Sequence, residues 1–299
     1  MSPPQHLIVV SPPGSGTVLL HEITTALGYT SRGTMTPSTD TPTQTGPGEV
    51  YPLLHAAYGP DQAAALLQAH HHHQDTGPLQ DAYTDALHLL WRVWWKRLGQ
   101  PVTAHTTLDT ATEARLTAQS DASLLGLLPG RDAWYVTGLN PAHIDGGLLR
   151  HWAATGQPAI LYHHREPHDR ALALIQHLTR ENGKVGTIPS HLIYRDILTT
   201  LPGTDERLTL ALTDPDFPGN EETRHTSWLT RHPAVHTITH EDLAGPHHGG
   251  TTTARTRALQ QLATRLNTSH TAATELPDPP PGLPGLTVTA RHEHASGHP

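Results

Sequence analysis

Short continuous apolar runs and helically spaced apolar stripes take turns along this chain, and their alternation predicts a parallel sheet covered by helices. Residues 7–10 form an apolar run of strand length, residues 12–16 a Pro/Gly turn, and residues 17–27 a helical stretch. Helical spacing returns over 61–69 and 79–98, and in the second stretch Leu87, Trp91, Trp94 and Leu98 share one face. Residues 101–106 predict a short strand and 110–128 one helix. Strands are predicted at 133–137 and 159–162, with helices at 147–155 and 167–179. The pattern weakens after Gly186 until a strand at 235–239 and a helix at 253–266. Residues 30–48, rich in Thr, Pro, Ser and Gly, predict a long loop placed to cover a site. The division that follows is one α/β domain over 1–270 and a Pro/Gly/His-rich irregular tail over 271–299.

Composition narrows the chemistry. A chain of 299 residues is long enough for one sizeable core. Its formal charge is −8 with histidine neutral, and Lys96 and Lys184 are its only lysines. No basic run tracks a phosphate backbone, so no nucleic-acid partner is expected. The absence of cysteine excludes disulfides, thiolate catalysis and thiolate metal sites. The first apolar run is too short for a leader or a membrane span, which predicts a cytoplasmic protein with no membrane partner. Abundant Ala, Thr, Pro and Arg point to compositional bias, which also accounts for many of the 26 histidines. The runs His70 to His73 and HHGG at 247–250 are therefore expected to be surface segments, and no metal site is predicted. Trp95 lies off the Leu87 stripe and is the tryptophan expected to meet a partner chain, with homo- and hetero-oligomers both open.

The turn SPPGSGT at 11–17 carries the strongest chemical signal. Glycines let backbone approach a ligand, and successive N–H groups at the start of a helix converge on an oxyanion. Gly14, Ser15, Gly16, Thr17 and Val18 are the anion-binding positions. The turn lacks the GxxxxGK[ST] spacing of a nucleoside-triphosphate loop. Two further strings follow in order, AILYHHREPHDRALAL at 159–174 and ITHEDLAGPHHGGTTTAR at 238–255. The first resembles the strand, Arg-x-Pro-x-Asp turn and helix of P-loop sulfotransferases; the second resembles the Tyr-Glu-Asp-Leu segment of many bacterial members. The resemblance implies a three-layer sulfotransferase-like P-loop fold with a central parallel sheet. It also implies 3'-phosphoadenosine 5'-phosphosulfate as donor, with Arg165 on the donor's 3'-phosphate.

Departures from the family pattern redirect the expected function. Gly14 stands where members carry Lys or Arg, Gly138 where they carry a catalytic histidine, and Ala173 where they carry a phosphate-binding serine. The C-terminal Arg-Lys-Gly segment has no counterpart. Contacts to donor and transferring group are thus missing, while the backbone cradle is kept. This combination favours an enzyme of small-molecule biosynthesis in which the cradle and Arg165 hold a sulfate already on the substrate. The sulfate is then expelled, by elimination or by an internal amine closing a ring, without a cofactor. Candidate bases are His143, after the vacated histidine place, and His105. The alternatives are a donor-dependent sulfotransferase and a non-catalytic partner subunit.

Overall fold

The computed structural model describes residues 6–34, 47–73, 77–102, 110–180 and 188–268. Strands β1 (His6–Val10), β2 (Thr30–Gly33), β3 (Asp132–Val136), β4 (Ala159–His164) and β5 (His236–Thr239) form a five-stranded parallel sheet in the order β2-β3-β1-β4-β5. Helices α1 (Thr17–Ala26), α2 (Pro47–Tyr58), α3 (Pro60–His73), α4 (Gly77–Arg97), α5 (Thr110–Thr117) and α6 (Asp121–Leu127) lie between the first three strands in sequence. Then come α7 (Gly146–Thr155), α8 (Pro167–Thr179), α9 (Pro189–Thr200), α10 (Thr204–Thr213), α11 (Asn220–Thr226), α12 (His240–Ala244) and α13 (Thr252–Arg265).

Parallel pairing requires crossovers, which cover both faces of the sheet. The central strand β1 is accordingly buried at every position, which is why its sequence is a continuous run with no alternation. On one face Ile8, Val10, Trp134 and Ile160 pack with Leu54, Leu90, Trp94 and Trp152 from α2, α4 and α7. On the other, Leu7, Val9, Tyr135 and Leu161 pack with Leu20 and Ile23 of α1 and Leu259 and Leu262 of α13. A third cluster joins α8, α9 and α10 through Leu174, Ile175, Tyr194, Leu198 and Ala211, with Phe217 from the turn after α10. Each aliphatic side chain so buried contributes about 1.5–3 kcal/mol before entropy is counted. No described helix is long and apolar enough to cross a membrane.

Several expected elements change. The expected loop over 30–48 begins with strand β2, which pairs in register with β3 from Thr30 opposite Asp132 to Gly33 opposite Tyr135. Its TSRG sequence carries no apolar alternation because a charge holds it. Arg32 lies against Trp91, 4.4 Å from the ring centroid, and its Nε donates to Asp132 at 3.2 Å, both partners buried. The single helix expected over 110–128 is two, because the Ser120 hydroxyl accepts the Ser123 amide and caps a fresh start. Residues 101 and 102 form no strand; the rest of that segment, with His105, lies outside the described residues, as does 269–299. Trp94 is core, as its stripe predicts. Trp95 is half-buried within its own chain, its ring 6.4 Å from that of Trp134 and its Nε1 donating to the Pro101 carbonyl at 3.2 Å.

The Arg32–Asp132 pair is the polar anchor of the sheet edge. Burial pushes the Asp132 carboxyl up to about 6 against the opposing pull of Arg32. Arg32→Ala is expected to cost about 3–5 kcal/mol near neutral pH, because it strands a buried carboxylate. A carboxyl with a raised folded pKa favours the folded state below its unfolded value and loses that contribution as pH rises through its folded value. Urea denaturation should therefore find the cost of Arg32→Ala smaller at acid pH; an equal cost at both would contradict this account.

Candidate functional site

Because all five strands run the same way, the turn after β1 and the residues ending β3, β4 and β5 meet at one edge of the sheet. The Ser11 amide donates to the Val136 carbonyl at 2.9 Å, fixing the turn's start beside β3. The Ser15 amide donates to the Pro12 carbonyl at 3.1 Å and closes the turn. Ser11 Oγ lies 2.9 Å from Thr17 Oγ1, tying the two ends together, and 3.2 Å from Nδ1 of His163 on β4.

Gly14 and Gly16 are required by the path. Both take left-handed φ values, +83° and +85°. A Cβ on Gly14 would lie 2.8 Å from Leu174 Cγ and 2.9 Å from the Arg170 carbonyl, so the turn is pressed onto α8. A Cβ on Gly16 would lie 2.2 Å from Nδ1 of His240, so on the other side it is pressed onto α12. Gly16 is also the N-cap of α1 and provides no side-chain acceptor. The first amides of α1, at Thr17 and Val18, thus begin the helix without an intrahelical partner, at its positive end. Val18 itself is exposed.

Near this uncapped start lie buried polar atoms with no hydrogen-bond partner, Ser15 Oγ, His163 Nε2 and His240 Nδ1, together with Arg165 Nε, which has an ion-pair partner but no hydrogen bond. Burial, with the charges of His164 and Arg165, pushes the His163 imidazole down to about 3. Burial, with Arg165, His163 and His248, pushes His240 down to about 2. Arg165 is held by Glu241, its Nε 4.0 Å from Glu241 Oε1. That same oxygen accepts the Glu166 amide at 3.3 Å and joins the β4–α8 turn to α12. The serine hydroxyl and the imidazole nitrogens can each donate or accept, whereas the guanidinium and the backbone amides can only donate.

The opposite flank of the turn is formed by α8 and α11. Arg170 is buried, its Nη2 donating to Asn220 Oδ1 at 2.6 Å while Gly219, at the start of α11, packs against Nη1. Glu222 of α11 covers Gly138: a Cβ on Gly138 would lie 3.2 Å from Glu222 Cβ and Cγ. The place where the family resemblance puts a histidine is therefore covered by a glutamate from a different element.

The structure brings Gly14, Ser15, Gly16, Thr17, Val18 and Arg165 to this one edge. His143 is exposed in the turn after β3, its backbone against Gly99 at the end of α4. His105 lies outside the described residues. Sequence reasoning missed His163, His240 and Glu241. The available signal was position: His163 stands at the C-terminal end of a predicted strand, and His240 follows one directly. Among the described residues one group of metal-ligand atoms converges, Glu166, His168 and Asp169, and there the Glu166 carboxylate accepts the His168 and Asp169 amides as the cap of α8.

Two outcomes follow from this packing. Gly16→Ala should lower stability by at least about 1–2 kcal/mol from its left-handed backbone alone, with the His240 contact adding to it; an unchanged melting temperature would contradict the close approach. His163 and His240, together with His6, which burial pushes down to about 4, all have folded pKa values below the ordinary imidazole value. Their stabilising contribution is complete above about pH 6.5 and is lost progressively as pH falls below it. Melting temperature should drop as pH is lowered from about 7 to about 5, and a flat profile would exclude the buried neutral histidines.

Comparison of the chain with protein-family models, with curated proteins and with solved structures returns no match.

Proposed function

We propose that the turn after β1 seats the sulfate of a sulfated small molecule, and that this sulfate is expelled as a leaving group. The observation that carries the reading is the set of buried groups without a hydrogen-bond partner, Ser15 Oγ, His163 Nε2 and His240 Nδ1, with Arg165 nearby and the uncapped start of α1 beside them. A tetrahedral oxyanion brings the acceptors those atoms need.

Donors fixed in this way favour departure of sulfate. The ester sulfate carries one negative charge and free sulfate two, so groups in place before the reaction stabilise the developing charge more than the ground state. The carbon–oxygen bond breaks with its electron pair passing to the sulfate oxygen. A proton leaves either the neighbouring carbon, giving an alkene, or an internal amine, which then bonds to the carbon and closes a ring. Glu222, packed over Gly138 on the far flank of the turn, is the base assigned to that proton.

A nucleotide sulfate donor fits these residues poorly. At Gly14 a first side-chain carbon already meets Leu174 and the α8 backbone, leaving no path for a lysine, and position 173 is alanine. The reaction proposed here takes its sulfate from the substrate itself.

The test is incubation with a panel of β-amino alcohol sulfate esters, with free sulfate measured. Sulfate release is expected from the natural chain, and Arg165→Met should lower the rate by about 10²–10³-fold, the loss typical for one anion-stabilising donor. Micromolar binding of adenosine 3',5'-bisphosphate with transfer of labelled sulfate from a nucleotide donor would overturn this reading in favour of donor-dependent transfer.

A further inference from the structure

We propose that His163 and His240 form a proton-accepting wall of the cradle, so that it binds a tetrahedral dianion together with one proton and discriminates against a monoanion of the same shape. The inference rests on the reading of the turn as an oxyanion seat and adds two ligand-facing residues to it.

The geometry starts at Ser11. Its hydroxyl holds Nδ1 of His163 at 3.2 Å and Thr17 Oγ1 at 2.9 Å, so the imidazole is oriented by the same hydroxyl that closes the turn. With Nδ1 engaged, the nitrogen left over is Nε2, which is buried and has no partner. His240 approaches from the next strand end. Its Nδ1, also buried and without a partner, lies against Gly16 where the turn becomes α1. The two rings are 5.8 Å apart between centroids, and His248 stands 5.4 Å beyond His240. Both imidazoles thus touch the same turn, His163 at Ser11 and His240 at Gly16, and each has a nitrogen without a hydrogen-bond partner. An imidazole can present either a lone pair or an N–H at such a nitrogen, so protonation converts an acceptor into a donor without moving a side chain.

Neighbouring charges decide which form is present. At the end of β4 the pair faces Arg165, His163 also faces His164, and His240 faces His248 past the end of α12, while Glu241 and Asp242 of α12 act on His164. Asp169 of α8 acts on Arg165. Arg255 of α13 binds the Leu243 carbonyl behind α12. The turn and the first residues of α1 add only the uncharged Ser11, Ser15, Thr17 and Val18. The nearest carboxylate, Glu241, is committed to Arg165 and the Glu166 amide. Arg165 and burial therefore keep the pair neutral while no anion is bound, in line with the direction of both imidazole shifts. A dianion placed against the amides of Gly16 to Val18 reverses that balance, because it offers each free nitrogen an opposite charge within hydrogen-bond reach. A monoanion supplies half the charge and draws the proton less. The same logic separates a sulfate ester from free sulfate.

Calorimetry with inorganic sulfate and with perchlorate tests this directly. Titrations near about pH 6.5 in two buffers of different ionisation enthalpy give the number of protons taken up, and repeats at about pH 5.5 and about pH 7.5 give the linkage. Sulfate binding is expected to take up close to one proton and to weaken by about tenfold or more between the two pH values. Perchlorate should bind more weakly and with little pH dependence. His240→Gln should bind sulfate more weakly and lose most of the proton uptake and of the pH dependence. If that variant does not fold, the natural chain decides alone. Sulfate binding with no proton uptake and a pH-independent Kd would overturn the proton-accepting wall and leave the oxyanion seat intact. No sulfate binding at either pH would overturn both.

Discussion

The close packing of the turn between β1 and α1 is the constraint on which the rest of the site depends. Two glycines in left-handed conformation let the backbone run against α8 on one side and His240 on the other. That path makes Gly16 the N-cap of α1, so no side chain satisfies the first helical amides. Ser120, Asp145, Glu166, Thr239 and Thr251 accept amides at the helices they begin, whereas α9, α10 and α11, like α1, start without a side-chain cap. What sets the start of α1 apart is its place at the end of the central strand, pressed between α8 and His240. The open start is also ringed by side chains that have polarity to offer and no partner.

Charge is distributed accordingly. The edge of the sheet carrying the turn holds Arg165 near two buried imidazoles, with Glu241 as the carboxylate that orients the arginine. At the opposite edge, Asp132 and His6 face each other across β3 and β1, and Asp132 is held by Arg32 from β2. Buried titratable groups at the two edges therefore have different roles. The Arg32–Asp132 pair holds an edge strand in register. His163 Nε2 and His240 Nδ1 near Arg165 have no hydrogen-bond partner, which is why the proposal assigns them to a ligand.

Much of the scaffold was legible because burial alone specifies it. The run at β1, the turn, α1, β4 and α8 follow from continuous apolar stretches, glycine placement and helical spacing. What escaped was set by polar contacts between distant residues. Strand β2 has no apolar alternation and exists through Arg32, Asp132 and Trp91. The break between α5 and α6 depends on one serine hydroxyl. Of the site, the turn and Arg165 could be read locally. His163 could not, because it gains its role from Ser11, 152 residues away in sequence, and 26 histidines in a biased composition hide the ones that matter. The cover over Gly138 escaped for a similar reason: Glu222 of α11 reaches it from 84 positions downstream (222 minus 138), where the apolar pattern had weakened.

The sulfate reading joins these features in one account. The cradle keeps backbone donors and gains imidazoles, while the space a lysine would need at Gly14 is filled by α8. The measurement that tests it most directly is a crystal structure grown with selenate, whose anomalous signal locates the anion without ambiguity. The account expects a selenate bound to the amides of Gly16 to Val18, within hydrogen-bond reach of Ser15 Oγ and Arg165. An intact turn with no selenate there, at concentrations that saturate other tetrahedral oxyanion sites, would contradict it.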